Sequence, residues 1–290
     1  MKLIGYLKYS SQLLIFTNLL VAFAATAQMA LTYFLLEIPV KYALLVVEFT
    51  STLLFYNFSL YLSLPKTVVK TPFARTNWIL NHKKFFYGFS FICALALIYF
   101  GLQLDFFTQI FLVIIGLISA LYAFPIFKYH NKWVNLRSIP YAKVFFISFI
   151  WLMSTFWLPI LDSQLSGELS ATHNLPIRSI HRYLFLFLCT LPFDLRDAKA
   201  DKYYGIKTFS TQLGIKNSIR LINGLILLHA ALGFYLDVSI EILIALWVMD
   251  LIVIIFFNLW IVKRNDYLLY YLMDFFLVLQ FILVLLFQYI

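Results

Sequence analysis

The sequence predicts an all-α integral membrane protein, with nine transmembrane helices around a central cavity and a single domain over residues 1–290. Three observations carry that expectation. The chain is 63% hydrophobic and 12% charged, with a mean hydropathy of +0.90, against roughly 45–50% and 25% in ordinary soluble domains. Its charges fall in clusters separated by apolar runs of about 17–25 residues, each enough to cross roughly 30 Å of hydrocarbon. The runs show no alternation of polar and apolar residues, so they read as helices, not as barrel strands.

Span 1 is the apolar run from about Leu13 to Leu36, after Lys2 and Lys8. Ala22-Phe23-Ala24 and Ala25-Thr26-Ala27 imitate a signal-peptidase site, but the run continues well past them and is read as a retained span. Glu37, Pro39 and Lys41 make a short turn into span 2, about Tyr42 to Leu62. A polar segment, 63–84, precedes span 3 (85–103) and span 4 (106–124), which are joined by a minimal turn at Leu104-Asp105. A basic loop at 125–138 leads to span 5 (139–161). Span 6 (181–193) is short in its apolar core, so its helix is expected to begin near Arg178. Span 7 (218–236), span 8 (239–261) and span 9 (267–289) complete the set.

The basic residues orient these spans. With the N-terminus in the cytoplasm, 19 Lys and Arg lie inside and three, Lys41, Arg178 and Arg182, lie outside, which accounts for all 22. The C-terminus then falls on the opposite side. The absence of a targeting segment is compatible with a bacterial inner membrane. The net charge of +9 is therefore a topology signal, and nucleic acid is not an expected partner. Cys93 and Cys189 both sit in apolar runs, so no disulfide framework is expected.

The most polar stretch is 193–214, which places Asp194, Asp197 and Asp201 at i, i+3 and i+7. On a helix all three lie on one face. Grouped carboxylates repel one another unless a cation sits among them. A hard cation such as Mg²⁺ takes oxygen ligands and shares them with phosphates, and Lys199, Lys202 and Lys207 could meet phosphate as point charges. A charged loop solvating the end of a span has the same composition, and charge content alone does not separate the two readings.

The two longest cytoplasmic loops follow spans 2 and 6, and the pattern there resembles the UbiA superfamily of intramembrane prenyltransferases. Asp194-x-x-Asp197-x-x-x-Asp201, Gly205, Lys207, Thr208 and Leu213-Gly214 match that family's second Asp-rich segment at every step. Tyr122, Pro125 and Lys128 are similar to its Tyr-x-x-Pro-x-x-Lys/Arg element after the fourth helix. The first segment departs: Asn57 is present, but Tyr61 and Pro65 stand where the family has Asp, and no Asp or Glu occurs from 49 to 104. The resemblance implies a nine-helix bundle that transfers a prenyl group from an isoprenyl diphosphate to a hydrophobic acceptor. It implies Mg²⁺ held by Asp194, Asp197 and Asp201, with Asn57 orienting diphosphate from the opposite segment. Substrate binding would fall to Lys66, Lys70, Arg75, Tyr122, Lys128 and Lys207, with Lys66, Lys70 and Arg75 partly replacing the missing second metal. Those three cations equally suit simple anchoring on the inner side. The missing acids also admit a non-catalytic lipid- or partner-binding descendant of the fold.

Prenyl transfer also needs a dry cavity with aromatic faces for the carbocation. The 20% aromatic content serves that or a lipid-facing belt. Glu48, Asp250 and Asp274 fall inside spans, where a charge is expensive, and are expected to face the bundle interior. A Tyr hydroxyl is a candidate partner for Asp250. Asn18 and Gln28 could line the cavity or bond a neighbouring helix. His82, His130, His173, His181 and His229 show no metal-ligand spacing. Four are expected at interfaces and His229 as a hydrogen-bonded interior group. A transporter reading is weaker, since no internal repeat is visible.

Overall fold

A computed structural model describes residues 13–63, 74–124, 127–129, 132–134, 136, 139, 141–169, 174–203, 208–261 and 272–289. Within these, the backbone alone is described at 63, 74, 127–129, 132–134, 196–203, 215, 260 and 261. In chain order the helices are α1 (Leu19–Leu35), α2 (Tyr42–Ser63), α3 (Ala74–Asn81), α4 (Lys83–Gly101) and α5 (Phe106–Ala123). They continue as α6 (Ala142–Leu165), α7 (Leu175–Tyr203), α8 (Phe209–Gly233), α9 (Ile240–Phe256) and α10 (Leu272–Gln288). Each predicted span overlaps one of these helices, and α3 is additional. The segment predicted as a basic loop carries a short antiparallel hairpin, β1 (Phe127–Tyr129) with β2 (Lys132–Val134), in the register Lys128 to Trp133.

Five of the helices are long and apolar enough to cross a membrane: α2, α4, α5, α6 and α9. The helices α1 and α10 are apolar but shorter. Arg178, His181, Arg182 and Asp194 lower the hydropathy of α7, and Asn217, Arg220, Asn223 and His229 do the same for α8. In α7 that polarity is turned inward, with Arg178, His181, Arg182 and Asp194 all buried, whereas of the four in α8 only His229 is buried and Asn217 and Arg220 are exposed.

Sequence chemistry explains the boundaries. Asp105 caps α5 by accepting from the backbone N–H of Phe107 at 2.9 Å. Thr208 and Thr211 form a reciprocal capping pair at the start of α8, and Ser239 caps α9. Pro192 lies inside α7; with no N–H, it removes one rung of that helix's hydrogen-bond ladder. In α6, Met153–Trp157 form a π-turn, a widened coil that frees local backbone groups for other partners. Here the carbonyl of Thr155 accepts from the Thr32 hydroxyl of α1 at 2.7 Å.

The helix α1 packs between α2 and α10, while α7 packs against α6, α8 and α10. Ala22, Ala24, Ala25 and Ala27 of α1 are all buried, and such small residues let backbones approach closely where no hydrophobic effect drives helices together. The main core gathers Met29, Leu44, Leu158, Phe185, Met249, Phe257 and Met273 around α1, α7 and α9. By contrast, α4 and α5 expose Phe91, Ile92, Leu95, Tyr99, Val113 and Leu117. A continuous apolar flank of that kind is suited to lipid, not water.

Candidate functional site

The ends of the bundle follow from a few contacts. Arg178, near the start of α7, donates to the carbonyl of Leu35 at the end of α1. Lys41, just before α2, pairs with Asp162 near the end of α6 at 2.7 Å. The opposite ends of α1, α2 and α7, which carry Asn18, Asn57 and Asp194, therefore lie at the same end of the bundle.

Asp194 is almost fully buried and is held by the junction of three helices. Its Oδ2 accepts from the backbone N–H of Phe209 at 3.1 Å, and its backbone carbonyl accepts from the Ser210 hydroxyl at 2.7 Å. Its Oδ1 lies 3.7 Å from Nζ of Lys143, itself buried in the first turn of α6. A carboxylate at the N-terminus of α8 meets unpaired N–H groups and the positive end of that helix's dipole. The Phe209 ring packs against Tyr141, Phe145 and Phe187, which shields the ion pair from water. Sequence reasoning counted Lys143 only as an orienting charge; its signal was a lone lysine at the edge of an apolar run.

Asn18 precedes α1 in a left-handed conformation, φ +62°, which Asn tolerates better than most residues. That turn directs its amide to Asn57 of α2: Nδ2 of Asn18 donates to Oδ1 of Asn57 at 2.8 Å. Asn57 in turn donates to the Ser90 hydroxyl of α4 at 3.1 Å, and Arg75 of α3 donates to Oδ1 of Asn18. Residues of α2, α3 and α4 and the residue before α1 are thus linked around Asn18 and Asn57, one turn before Tyr61, where the first of the two acids was expected; Pro65, where the second was, lies outside the described residues. Asn18, read as cavity-lining or helix-bonding, does the second.

Of the other residues predicted for the site, Tyr122 is buried at the end of α5, its ring 6.3 Å from Phe146. Asp197 and Asp201 belong to the unbroken backbone of α7, so positions 194, 197 and 201 share one helix face; the side chains of Asp197 and Asp201 lie outside the described residues. Lys128 lies in β1, its side chain likewise outside them. Lys66, Lys70 and Lys207 fall outside the described residues altogether. Among the described residues no three His, Cys, Asp or Glu form a metal-binding group.

The interior acids face the bundle, as expected. Glu48 accepts from the Ser154 hydroxyl at 3.0 Å. Asp250 is bonded not to a tyrosine but to Nδ1 of His229 at 2.8–2.9 Å. Helix rotation decides that pairing, and sequence spacing does not reveal it. His181 is not interfacial: it is buried in α7 and stacks on His229 with ring centroids 3.7 Å apart. Arg178 and Arg182, counted from the sequence as outer-side charges, are also buried side chains of α7.

These residues define a polytopic helical bundle with a lipid-facing apolar flank, a buried polar interior and one end rich in amides, arginine, lysine and carboxylate. No protein-family model matches the sequence, and no curated protein matches it. Its fold is that of UbiA homologues. The structure of a UbiA homologue from Archaeoglobus fulgidus bound to GPP and Mg²⁺ superposes with a TM-score of 0.61 at 9% identity, covering 96% of this chain and 100% of that one. A second, bound to DMAPP and Mg²⁺, gives 0.58 at 11% identity over 96% and 99%. A structure reported for digeranylgeranylglyceryl phosphate synthase gives 0.53 at 19% identity over 97% and 96%.

Proposed function

We propose that the chain is a divergent member of the UbiA superfamily and a membrane prenyltransferase. It transfers a prenyl group from an allylic (poly)prenyl diphosphate to a hydrophobic acceptor, aromatic or lipid-like. The observation that carries this reading is whole-length likeness in fold to a UbiA homologue bound to GPP and Mg²⁺, combined with the acid spacing on the unbroken end of α7. In the reaction the allylic C–O bond breaks with its electron pair leaving on diphosphate. The carbocation adds to an electron-rich acceptor atom, which then gives up a proton.

Asp194 is already compensated by Lys143 and the Phe209 N–H, so its part in a metal site is to fix the α7–α8 junction, directly or through water. Asp197 and Asp201 would hold Mg²⁺, which when bound supplies positive charge to the departing diphosphate. Around the reacting bond the chain's own residues bind and orient. Asn57, held by Asn18 and Ser90, presents an amide from the α2 side, and Arg75 brings a cation to the same cluster where two family acids are missing. Lys66, Lys70, Lys128 and Lys207 add phosphate contacts, and Tyr122 offers an aromatic wall. The N-terminus lies in the cytoplasm in this reading, with the Asp194 end facing it and the C-terminus opposite, in a bacterial inner membrane.

The missing acids of the first segment favour a second reading, a non-catalytic protein that binds a lipid or a partner. One experiment separates them. Purified protein is expected to release diphosphate from an allylic diphosphate only with Mg²⁺, and Asp197→Ala is expected to abolish release. No release across several chain lengths and acceptors selects the binding protein.

A further inference from the structure

At the end of the bundle away from Asp194, α1, α7, α9 and α10 enclose a cavity of ≈ 20 Å³ lined by Arg178, His181, Arg182, Thr32 and Gln280. Counting along α7 at 1.5 Å per residue, Arg178 lies roughly 24 Å from Asp194, so this site is separate from the proposed reaction centre.

The lining has donors to spare and few acceptors. Arg182 donates to Oε1 of Gln28, and Gln28 spends its amide N–H on the Leu277 carbonyl and on Gln280. Thr32 already donates its hydroxyl to backbone carbonyls. Arg178 donates to the carbonyls of Leu35 and Asp237, yet its Nε is buried with no hydrogen-bond partner, as is Nε2 of His181. Among the described residues neither guanidinium has a carboxylate oxygen within 4.0 Å. Glu37 and Asp237 act on Arg178 through space without touching it, and Asp250 is taken by His229. Two buried cations at i and i+4 on one helix face, with no acid in that helix's first turn, form a strongly positive pit. A buried charge without an opposite charge is costly, the more so in a membrane.

We propose that this pit binds one small monovalent anion of halide size, held by Arg182 and Arg178 with His181 beside it. The volume sets the size, since it admits about one water-sized particle. The chemistry sets the sign, because a water would satisfy N–H groups but leave Arg182 without a contacting carboxylate and Arg178 faced only by the non-contacting Glu37 and Asp237.

The test is equilibrium binding of radioactive chloride to the purified full-length protein in detergent, against a sodium gluconate background of constant ionic strength. One saturable site per chain is expected, displaced by bromide. Arg182→Gln should weaken it by at least about tenfold, the scale of one charge-assisted hydrogen bond, while Arg220→Gln, an exposed basic residue of α8, should leave it unchanged. Absence of saturable binding in the natural protein overturns the proposal, as does equal loss in both variants. Should Arg182→Gln fail to fold, crystals of the natural protein grown in bromide decide. An anomalous peak in the pit supports the proposal, and bromide found only elsewhere overturns it.

Discussion

Nζ of Lys143 and Oδ1 of Asp194 lie 3.7 Å apart, both in nearly dry surroundings, and the pair joins the first turn of α6 to the polar end of α7. Breaking a buried pair from one side leaves an uncompensated charge, typically costing about 3–5 kcal/mol. Lys143→Met and Asp194→Asn are each expected to lower thermal stability markedly. The double variant is expected to be less destabilised than their sum by at least about 1 kcal/mol, the scale of coupled neighbours. Unfolding in detergent, followed by tryptophan fluorescence, measures both.

His229 and Asp250 form a buried hydrogen bond between α8 and α9. Asp250→Leu leaves Nδ1 of His229 without its partner and is expected to cost about 1–3 kcal/mol, whereas His229→Phe with Asp250→Leu should recover most of that loss. A thermal unfolding series of the two single variants and the double variant checks it; equal loss in all three contradicts a paired role.

Arg75, Asn18 and Asn57 are linked in one chain of hydrogen bonds. If that chain presents a cation to diphosphate, Arg75→Ala is expected to weaken diphosphate binding by about 10- to 100-fold, as loss of a charged hydrogen bond does. Lys70→Ala should weaken it too. Isothermal titration with inorganic diphosphate and Mg²⁺ reads both, and unchanged affinity in the two variants ends the idea.

Gly214 interrupts α8 at φ +74°, ψ +164°, a region essentially reserved for glycine. A Cβ there meets nothing within 4 Å, so Gly214→Ala carries backbone strain alone. A loss of about 1–3 kcal/mol is expected; a neutral result in thermal unfolding would show that the turn readily adopts another conformation.

The helical runs were legible because length and hydropathy are properties of one segment at a time. Each expected span has its helix, and α7 begins at Leu175, close to the Arg178 start inferred from its short apolar core. What escaped the sequence was partnership. Arg178 and Arg182 were counted as outer-side charges, and their burial was not legible because hydropathy counts a charge without asking which way its helix is turned. His229 and Asp250 are 21 residues apart, and only the rotation of α8 against α9 brings them together. The motif from Asp194 to Asp201 was legible as one helix face, but the contacts that hold Asp194 and Asn57 were not. Lys143, Asn18 and Ser90 contribute from separate helices, and nothing in their spacing announces it.

Pro192 sits two residues before Asp194, between the buried arginines at one end of α7 and the acids at the other. The first portion is clamped by Arg178 and Arg182, and the last is tethered through Asp194 to the start of α8. Proline brings no N–H to the backbone ladder between them, so the two ends of one helix are fixed by separate partners on separate neighbours.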